Sequence, residues 1–146
     1  MRYLPDTNIV LRLASEDTEE HTLVKQALRR VAEQGDEIVL VPQVLYEFWG
    51  VGTRPQPVNG FGWGVERARL EVEELLLQFP LLPDTPLVFS TWLELVTTYS
   101  VAGKQVHDAR LAAAALAHGL DYLLTLNGDD FKRFEVRTVH PRDVSA

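Results

Sequence analysis

The chain has 146 residues, 46% of them hydrophobic, which fits one globular domain with a hydrophobic core and leaves no room for a second. Its net charge of -7 and its lack of a basic run exclude nucleic-acid binding through overall charge alone. The absence of cysteine excludes a disulfide framework, a thiolate zinc site and a cysteine nucleophile.

The first predicted elements are a short strand and a helix that meet at an acidic residue. A short apolar pair precedes Pro5, which is tolerated at a strand end although it has no N–H for a ladder. An apolar pattern with helical spacing begins near Asn8, so Asp6 or Thr7 can cap that helix. In an open α/β sheet, Asp6 would therefore lie at the edge where ligands bind.

The next segment predicts a second helix and a buried strand. Residues 15–20 are rich in residues typical of helix N-termini, and Asp17 with Glu20 resembles a capping box. The apolar face that follows predicts a helix to about Glu33. In residues 37–41, Glu37 is followed by four apolar residues, three of them β-branched, which is typical of a strand buried on both faces in a parallel sheet.

A third helix and a long loop are predicted after that strand. Pro42 suits the first turn of a helix, and Glu47 lies about one turn past the end of the strand. Residues 50–64 are rich in glycine and proline, so we expect a loop without regular structure. Long loops inside compact domains are often functional.

The rest of the chain alternates helices with short strands. The patterns predict an amphipathic helix over 65–79, a very short strand within 80–83, a helix over 85–99, an alanine-rich helix over 109–117, a strand over 122–125, a short helix opening at 127–131 and an edge strand over 136–139. We therefore expect an α/β fold with a mostly parallel sheet of four to five strands and helices on both faces. Since no apolar run approaches the roughly 18 residues of a membrane span and no apolar leader follows Met1, we expect a cytoplasmic protein with no membrane partner.

Five polar side chains are expected at one edge of this sheet, because helices begin at the C-terminal ends of the strands they follow. Asp6 and Glu47 follow the first two strands, and Asp108 lies at a helix N-terminus. Asn127 and Asp130 follow the next strand along the chain. Carboxylates without a basic partner repel one another, which raises their pKa values or is relieved by a cation. Oxygen ligands without cysteine or a histidine pair suit Mg²⁺ or Mn²⁺.

Such a site indicates hydrolysis of phosphodiester bonds. A divalent ion held by carboxylates can coordinate a phosphate oxygen, lower the pKa of a bound water and stabilise the leaving oxygen. No side-chain nucleophile is needed, and the sequence has no nucleophile elbow. It also has no P-loop, since Gly103 and Lys104 lack the preceding glycine of that motif.

Several short motifs occur in a characteristic order over nearly the whole chain. They are Asp6-Thr7-Asn8 after the first strand, Glu47 after Pro42, Val106-His107-Asp108-Ala109 before the alanine-rich helix, Leu124-Thr125-Leu126-Asn127 with Asp130-Phe131, and Val139-His140-Pro141 at the end. Together they resemble a PIN domain, and most of all the VapC-type toxin ribonucleases of bacterial toxin–antitoxin pairs.

The resemblance implies a single PIN-like domain over 1–146, folded as a three-layer α/β/α sandwich. It also implies Mg²⁺- or Mn²⁺-dependent endonucleolytic cleavage of RNA, a homodimer, and inhibition by a cognate antitoxin. The family's acids would fall on Asp6, Glu47 and Asp108, with Asp6 and Asp108 as the pair that holds the metal. The fourth acidic position would fall on either Asn127 or Asp130.

Two further sets of residues belong to the predicted site. Thr7, Asn8 and Thr125 would donate hydrogen bonds that orient the acids. A cation and stacking aromatic rings for single-stranded RNA would come from Arg54, Phe61 and Trp63 in the long loop. The alternative is that the two aromatic rings pack onto the domain or onto a dimer partner.

Other functions fit the same sequence. The chain could be a PIN nuclease of RNA maturation or DNA processing with no toxic role. It could also be a non-catalytic binding module whose acids are helix caps or regulatory metal ligands. A phospho-accepting receiver domain would need adjacent acids after the first strand and a lysine after the fifth, and neither is evident.

Overall fold

The sheet has four parallel strands in the order β2-β1-β3-β4 in the computed structural model, which describes residues 1–144. The strands are β1 (Arg2–Pro5), β2 (Glu37–Ile38), β3 (Tyr122–Leu124) and β4 (Thr138–Val139). Because β1 pairs with β2 on one side and β3 on the other, the strand order reverses at β1. Ligands of open α/β sheets bind at such a switch point, outside the C-terminal ends of the strands.

Six α-helices flank this sheet within residues 1–144. They are α1 (Thr7–Ala14), α2 (His21–Glu33), α3 (Pro42–Thr53), α4 (Val65–Gln78), α5 (Pro86–Thr98) and α6 (Val106–Ala117). Short 3₁₀ helices span Gln56–Val58, Gly103–Gln105, Gly128–Phe134 and Pro141–Asp143. None of the described helices combines the length and the apolar character needed to cross a bilayer.

The two faces of the sheet carry separate hydrophobic cores. Leu4 and Leu123 point into a large core with α3, α5 and α6, while Tyr3 and Leu124 point into a smaller core with α2. This division follows from the alternation of side chains along a strand. The predicted α/β fold with a parallel sheet between helical layers is therefore confirmed. The predicted domain runs to residue 146, and its last two residues lie outside the described range.

The predicted start of the second helix is wrong. α2 begins at His21, and Glu20 at its N-cap makes no side-chain capping hydrogen bond, so the capping box with Asp17 does not form. Instead the hydroxyl of Thr18 donates to the carbonyl oxygen of Ser15 at 2.9 Å. Such local side-chain bonds to the backbone compete with helix formation.

The predicted loop over 50–64 begins later than expected. α3 continues through Gly50 and Gly52 to Thr53, and a 3₁₀ helix occupies Gln56–Val58 where no regular element was expected. The reason is packing: a Cβ on Gly52 would lie 2.4 Å from Cε3 of Trp63. This glycine allows the indole ring to approach the helix and does not end it.

The strands near the prolines are shorter than predicted. β2 ends at Ile38, and the expected strand within 80–83 is a single parallel bridge between Leu40 and Leu81. Prolines on either side lack the N–H groups that would extend a ladder. The predicted edge strand over 136–139 forms only as β4, at the sheet edge where it was expected.

Candidate active site

Asp6 lies between β1 and α1, at the point where the strand order reverses. Its backbone N–H donates to the carbonyl oxygen of Leu124 at 2.8 Å, which ties it to the end of β3. Its Oδ1 accepts the backbone N–H of Thr7 at 2.7 Å and thereby caps α1. Its Oδ2 accepts the hydroxyl of Thr125 at 2.8 Å and the amide of Asn8 at 3.4 Å. All three residues that were predicted to orient the acids therefore donate a hydrogen bond to this carboxylate.

The Asp6 carboxyl group is poorly hydrated and lies near other acids. Burial raises its pKa from 3.8 to about 6. Hydrogen bonds from Thr125 and Thr7 oppose this shift, and the negative charges of Glu47 and Asp108 add to it. None of the ion pairs within residues 1–144 includes Asp6. The carboxylate is therefore held in place without a neutralising cation.

Glu47, half-buried on α3, is joined to Asp6 through Thr7. Its Oε1 accepts the Thr7 hydroxyl at 2.9 Å and the side-chain amide of Gln43 at 3.5 Å. The same Gln43 amide donates to the carbonyl oxygen of His107 at 2.8 Å. Gln43, only 4% exposed, thus links the helix that carries Glu47 to the first turn of α6. Sequence analysis missed this residue, although its i, i+4 spacing to Glu47 was a usable signal.

Asp108 lies in the first turn of α6, as predicted. Burial raises its pKa, and the charges of Asp130 and Glu47 raise it further. His107 and Arg133 act in the opposite direction. We call Asp6, Glu47, Asp108 and Asp130 the acid cluster, since charge interactions connect them all.

Arg133 is a cation beside the acid cluster that sequence analysis did not identify. It lies in the 3₁₀ helix Gly128–Phe134, and its guanidinium donates to the side-chain oxygen of Gln105. Gln105 directly precedes α6, so this bond fixes Arg133 near the helix end that carries Asp108. Its position depends on the tertiary fold, because Gln105 and Arg133 are 28 residues apart.

The two candidates for the fourth acidic position differ in their contacts. The charge of Asp130 acts directly on Asp108. Asn127 is tied to the site through its backbone, since its N–H donates to the Thr125 hydroxyl at 3.0 Å. These contacts favour Asp130 as the fourth acid, with Asn127 at the border of the site.

Known proteins resemble this chain in both sequence and fold. The model of the PIN domain family matches residues 3–136. The chain belongs to the PIN domain family. This PIN domain is 29% identical over 130 residues to "Ribonuclease VapC24" of Mycobacterium tuberculosis, strain CDC 1551 / Oshkosh, and the match covers 88% of each chain.

Two solved structures share the fold of this PIN domain. VapBC2 from Rickettsia felis, bound to a DNA fragment from the promoter, has a TM-score of 0.73 with 20% identity, covering 96% of this chain and 98% of that one. A toxin–antitoxin complex from Klebsiella pneumoniae has a TM-score of 0.66 with 21% identity, and the match covers 95% of this chain and 97% of that one. At these identities the likeness shows the fold alone.

The long loop of the PIN domain does not present the predicted pair of stacking rings. Trp63 is only 7% exposed, and its ring packs edge-on against Phe48 with centroids 5.4 Å apart. The predicted role of Trp63 in RNA binding is therefore wrong, and the alternative of packing onto the domain is correct. Phe61 is half-buried against Trp63, whereas Arg54 is exposed. RNA contacts by Phe61 and Arg54 stay predictions.

The donors of the acid cluster fit a partly hydrated ion better than a closed metal cage. Within residues 1–144, no three Asp, Glu or His side chains lie close enough together to hold an ion. Mg²⁺ usually takes one or two carboxylates and fills its other positions with water and substrate phosphate. Asp6 and Asp108 offer two such carboxylates, and neither forms an ion pair with a described residue. A carboxylate has about four acceptor sites, so the hydrogen bonds to Asp6 leave room for an ion.

Proposed function

We propose that this PIN domain is a metal-dependent endoribonuclease and the toxin of a type II toxin–antitoxin pair. The observation that carries the proposal is the acid cluster at the switch point. Hydrogen bonds hold the carboxyl groups of Asp6 and Glu47, and none of the four acids forms an ion pair with a described residue. The name of the relative VapC24 supports ribonuclease activity. The toxin–antitoxin complex of the same fold supports the toxin assignment.

In this proposal the described residues orient the carboxylates that act on the RNA backbone. Asp6 and Asp108 would hold Mg²⁺ or Mn²⁺, and the bound ion would lower the pKa of water and stabilise charge on the phosphate. The Thr125 hydroxyl fixes the Asp6 carboxylate. Glu47, together with Asp130 or Asn127, completes the site and accepts a hydrogen bond from the attacking water.

The orientation of Glu47 depends on two neutral donors. The Thr7 hydroxyl and the Gln43 amide both donate to its Oε1. These two hydrogen bonds fix the orientation of the carboxylate and thereby the position of its other oxygen, Oε2. Neutral donors orient a carboxylate without neutralising it, whereas an arginine or lysine partner would cancel its charge. The two hydrogen bonds therefore keep the negative charge of Glu47 and restrict the orientation of its side chain.

The net charge of -7 does not prevent binding of an RNA phosphate at this place. A bound divalent ion is the largest local charge in such a site and attracts the phosphate. Arg133 adds a cation beside Asp108. Local charge at the acid cluster, and not overall charge, would thus determine where the RNA backbone binds.

The proposal predicts that Asp6→Asn and Asp108→Asn lower RNA cleavage by on the order of 100-fold or more, since each removes a carboxylate that would hold the metal ion, and the ion is what would stabilise charge in the transition state. Cleavage is measured on total cellular RNA with Mg²⁺ or Mn²⁺, and the new RNA ends are mapped. Calorimetric titration with Mn²⁺ shows whether each variant also loses metal binding. Circular dichroism shows whether the variants stay folded.

The matched control is Asp84→Asn, because Asp84 forms an exposed ion pair with Arg110 at 3.1 Å. This variant should cleave RNA and bind Mn²⁺ like the wild type. Full activity in Asp6→Asn would contradict the assignment of the site. Absence of Mn²⁺ binding at millimolar metal would favour the non-catalytic binding module.

The toxin role, the antitoxin and the homodimer are parts of the same proposal. A cytoplasmic toxin should arrest growth when expressed, and a small protein encoded beside it should relieve the arrest. RNA cleavage without growth arrest would favour a processing nuclease.

Exposed apolar side chains on α5, namely Leu87, Phe89 and Leu93, support association with a second copy. A monomeric mass by light scattering would contradict the homodimer.

A further inference from the structure

A groove of about 800 Å³ opens directly beside the acid cluster. Its walls are residues 125–130, which follow β3, and residues 138–140, 142 and 143, from β4 and the 3₁₀ helix after it. Two wall residues also belong to the site: Thr125 donates its hydroxyl to Asp6, and the charge of Asp130 acts on Asp108. The groove is therefore continuous with the acid cluster.

His140 supplies the aromatic ring among the residues that line the groove. Its Nδ1 accepts the backbone N–H of Arg142 at 3.1 Å, so the ring hydrogen lies on Nε2, which is a donor. Burial and the nearby charge of Arg142 lower the pKa of His140, while Asp143 opposes this shift. At neutral pH the side chain is thus an uncharged planar ring with one N–H donor.

Most of the remaining wall is polar, with Leu126 and Val139 as its apolar members, and it suits a nucleotide better than an apolar ligand. Asn127 brings a side-chain amide and Thr138 a hydroxyl, both exposed. Amides and hydroxyls of this kind donate to and accept from base edges. Arg142 is 70% exposed, and its contact with Asp143 is 3.9 Å long, so its guanidinium can pair with a phosphate.

We propose that this groove binds the nucleotide next to the scissile phosphate, with its base against the His140 ring and its outer phosphate at Arg142. The inference rests on the proposed ribonuclease function and adds to it a site that selects the base beside the cut. Stacking on an aromatic ring tolerates every base. Discrimination between bases therefore comes from the Asn127 amide, against which stacking on His140 positions the edge of the base.

The test compares His140→Asn with the wild type on short single-stranded RNAs that differ only at the bases flanking the cut. Asparagine can still accept the Arg142 N–H, so the local turn is kept while the ring is lost. We expect KM for the preferred RNA to rise about tenfold, as for loss of one stacked base. We also expect the preference among bases to flatten, while kcat changes less than about twofold.

The matched control is His118→Ala. The Nε2 of His118 bonds to the carbonyl oxygen of Pro83 at 2.8 Å, and His118 follows the end of α6 that is opposite to Asp108. This variant should keep both KM and the base preference. If His140→Asn behaves in the same way, the groove does not bind the substrate base and the inference is overturned.

A binding measurement separates this inference from the proposed function. Fluorescence anisotropy of the same labelled RNAs is recorded with Asp6→Asn protein, with and without His140→Asn. Weaker and less selective binding in the double variant supports the groove even if no condition gives cleavage. Unchanged binding overturns it even if the wild type cleaves RNA. Melting curves of both proteins verify that the fold is retained.

Discussion

Two hydrogen bonds to Asp6 come from different parts of the chain and have different consequences. The Thr7 N–H bond caps α1, and the Thr125 hydroxyl bond joins the end of β1 to the end of β3. A helix cap and a functional carboxylate are usually alternative interpretations of such an acid, but here one side chain fills the first role and is placed for the second. Gln43 likewise has two roles, since its side-chain amide donates both to Oε1 of Glu47 and to the carbonyl oxygen of His107.

Replacement of Gln43 by methionine should impair catalysis more than stability. Methionine has a similar length but no hydrogen-bond donor, so Glu47 loses one of the two hydrogen bonds that orient its carboxylate. The buried side-chain oxygen of Gln43, which has no hydrogen-bond partner among the described residues, is removed as well, and this limits the loss of stability. We expect kcat to fall about tenfold, with KM changed less than about twofold, in steady-state cleavage assays.

Gln78→Met is the control for this substitution. Gln78 is exposed on α4 and bonds to Glu74 at 3.3 Å with the same i, i+4 spacing. It should have wild-type kinetics. Equal kinetics for both variants would show that Gln43 does not position Glu47.

α3 connects the acid cluster at one end to the long loop at the other. Gln43 and Glu47 lie in its first turns, where they meet α1 and α6. Gly52 lies near its C-terminus, where the helix backbone meets the ring of Trp63. The helix therefore needs a polar face that fits its neighbours at one end and a flat, side-chain-free surface at the other.

Gly52→Ala should destabilise the fold, because its Cβ would lie 2.4 Å from Cε3 of Trp63. Overpacking of this kind lowers the free energy of unfolding by about 1–3 kcal/mol. Gly50→Ala, in the same helix, meets no atom within 4 Å and should raise it by up to about 1 kcal/mol. Urea denaturation of both variants measures the two changes. Equal destabilisation would contradict the packing argument.

The molecule as a whole gathers several of its negative charges at one edge of the sheet. Its net charge is -7, and burial raises the pKa of both Asp6 and Asp108 at that edge. Without a bound cation, ionisation of these groups therefore opposes folding at neutral pH. Functional sites commonly contain such unfavourable interactions, which the remaining structure compensates.

The metal-free protein should lose stability as the pH rises from about 4 to about 6. The pKa of Asp6 is about 6 in the folded protein and 3.8 in the reference state. In this window the folded state binds more protons than the unfolded one, so the free energy of unfolding falls as pH increases. Asp6→Asn should reduce this slope and be more stable than the wild type at pH 7.5, by on the order of 2 kcal/mol.

Thermal and urea unfolding in EDTA across this pH range test the prediction. Asp84→Asn again serves as the control, since Asp84 is in an exposed ion pair. It should keep the wild-type slope. A metal-free Asp6→Asn protein that is less stable than the wild type at pH 7.5 would show that the buried charge of Asp6 does not destabilise the fold.

The sequence predicted most of the helices, because their apolar spacing and their Pro, Gly and Ala residues are local signals. It was less reliable where distant contacts decide the outcome. α3 runs past Gly50 to Thr53, and Trp63, a distant residue, packs on its Gly52. β2 stops at Ile38, four residues before Pro42. The predicted start of α2 was wrong for a local reason, since the Thr18 hydroxyl donates to the carbonyl oxygen of Ser15 and no capping box forms.

The amino-acid sequence alone determined the alternation of strands and helices, the parallel sheet, and the edge at which Asp6, Glu47 and Asp108 lie. These follow from periodicity and from the rule that parallel strands end at the same edge. Only the tertiary structure decided that Gln43 joins α3 to α6, that Arg133 lies beside Asp108, and that Trp63 is buried in the core. The physical reason is that each depends on side chains far apart along the chain, whose distances are set by packing and not by any local pattern.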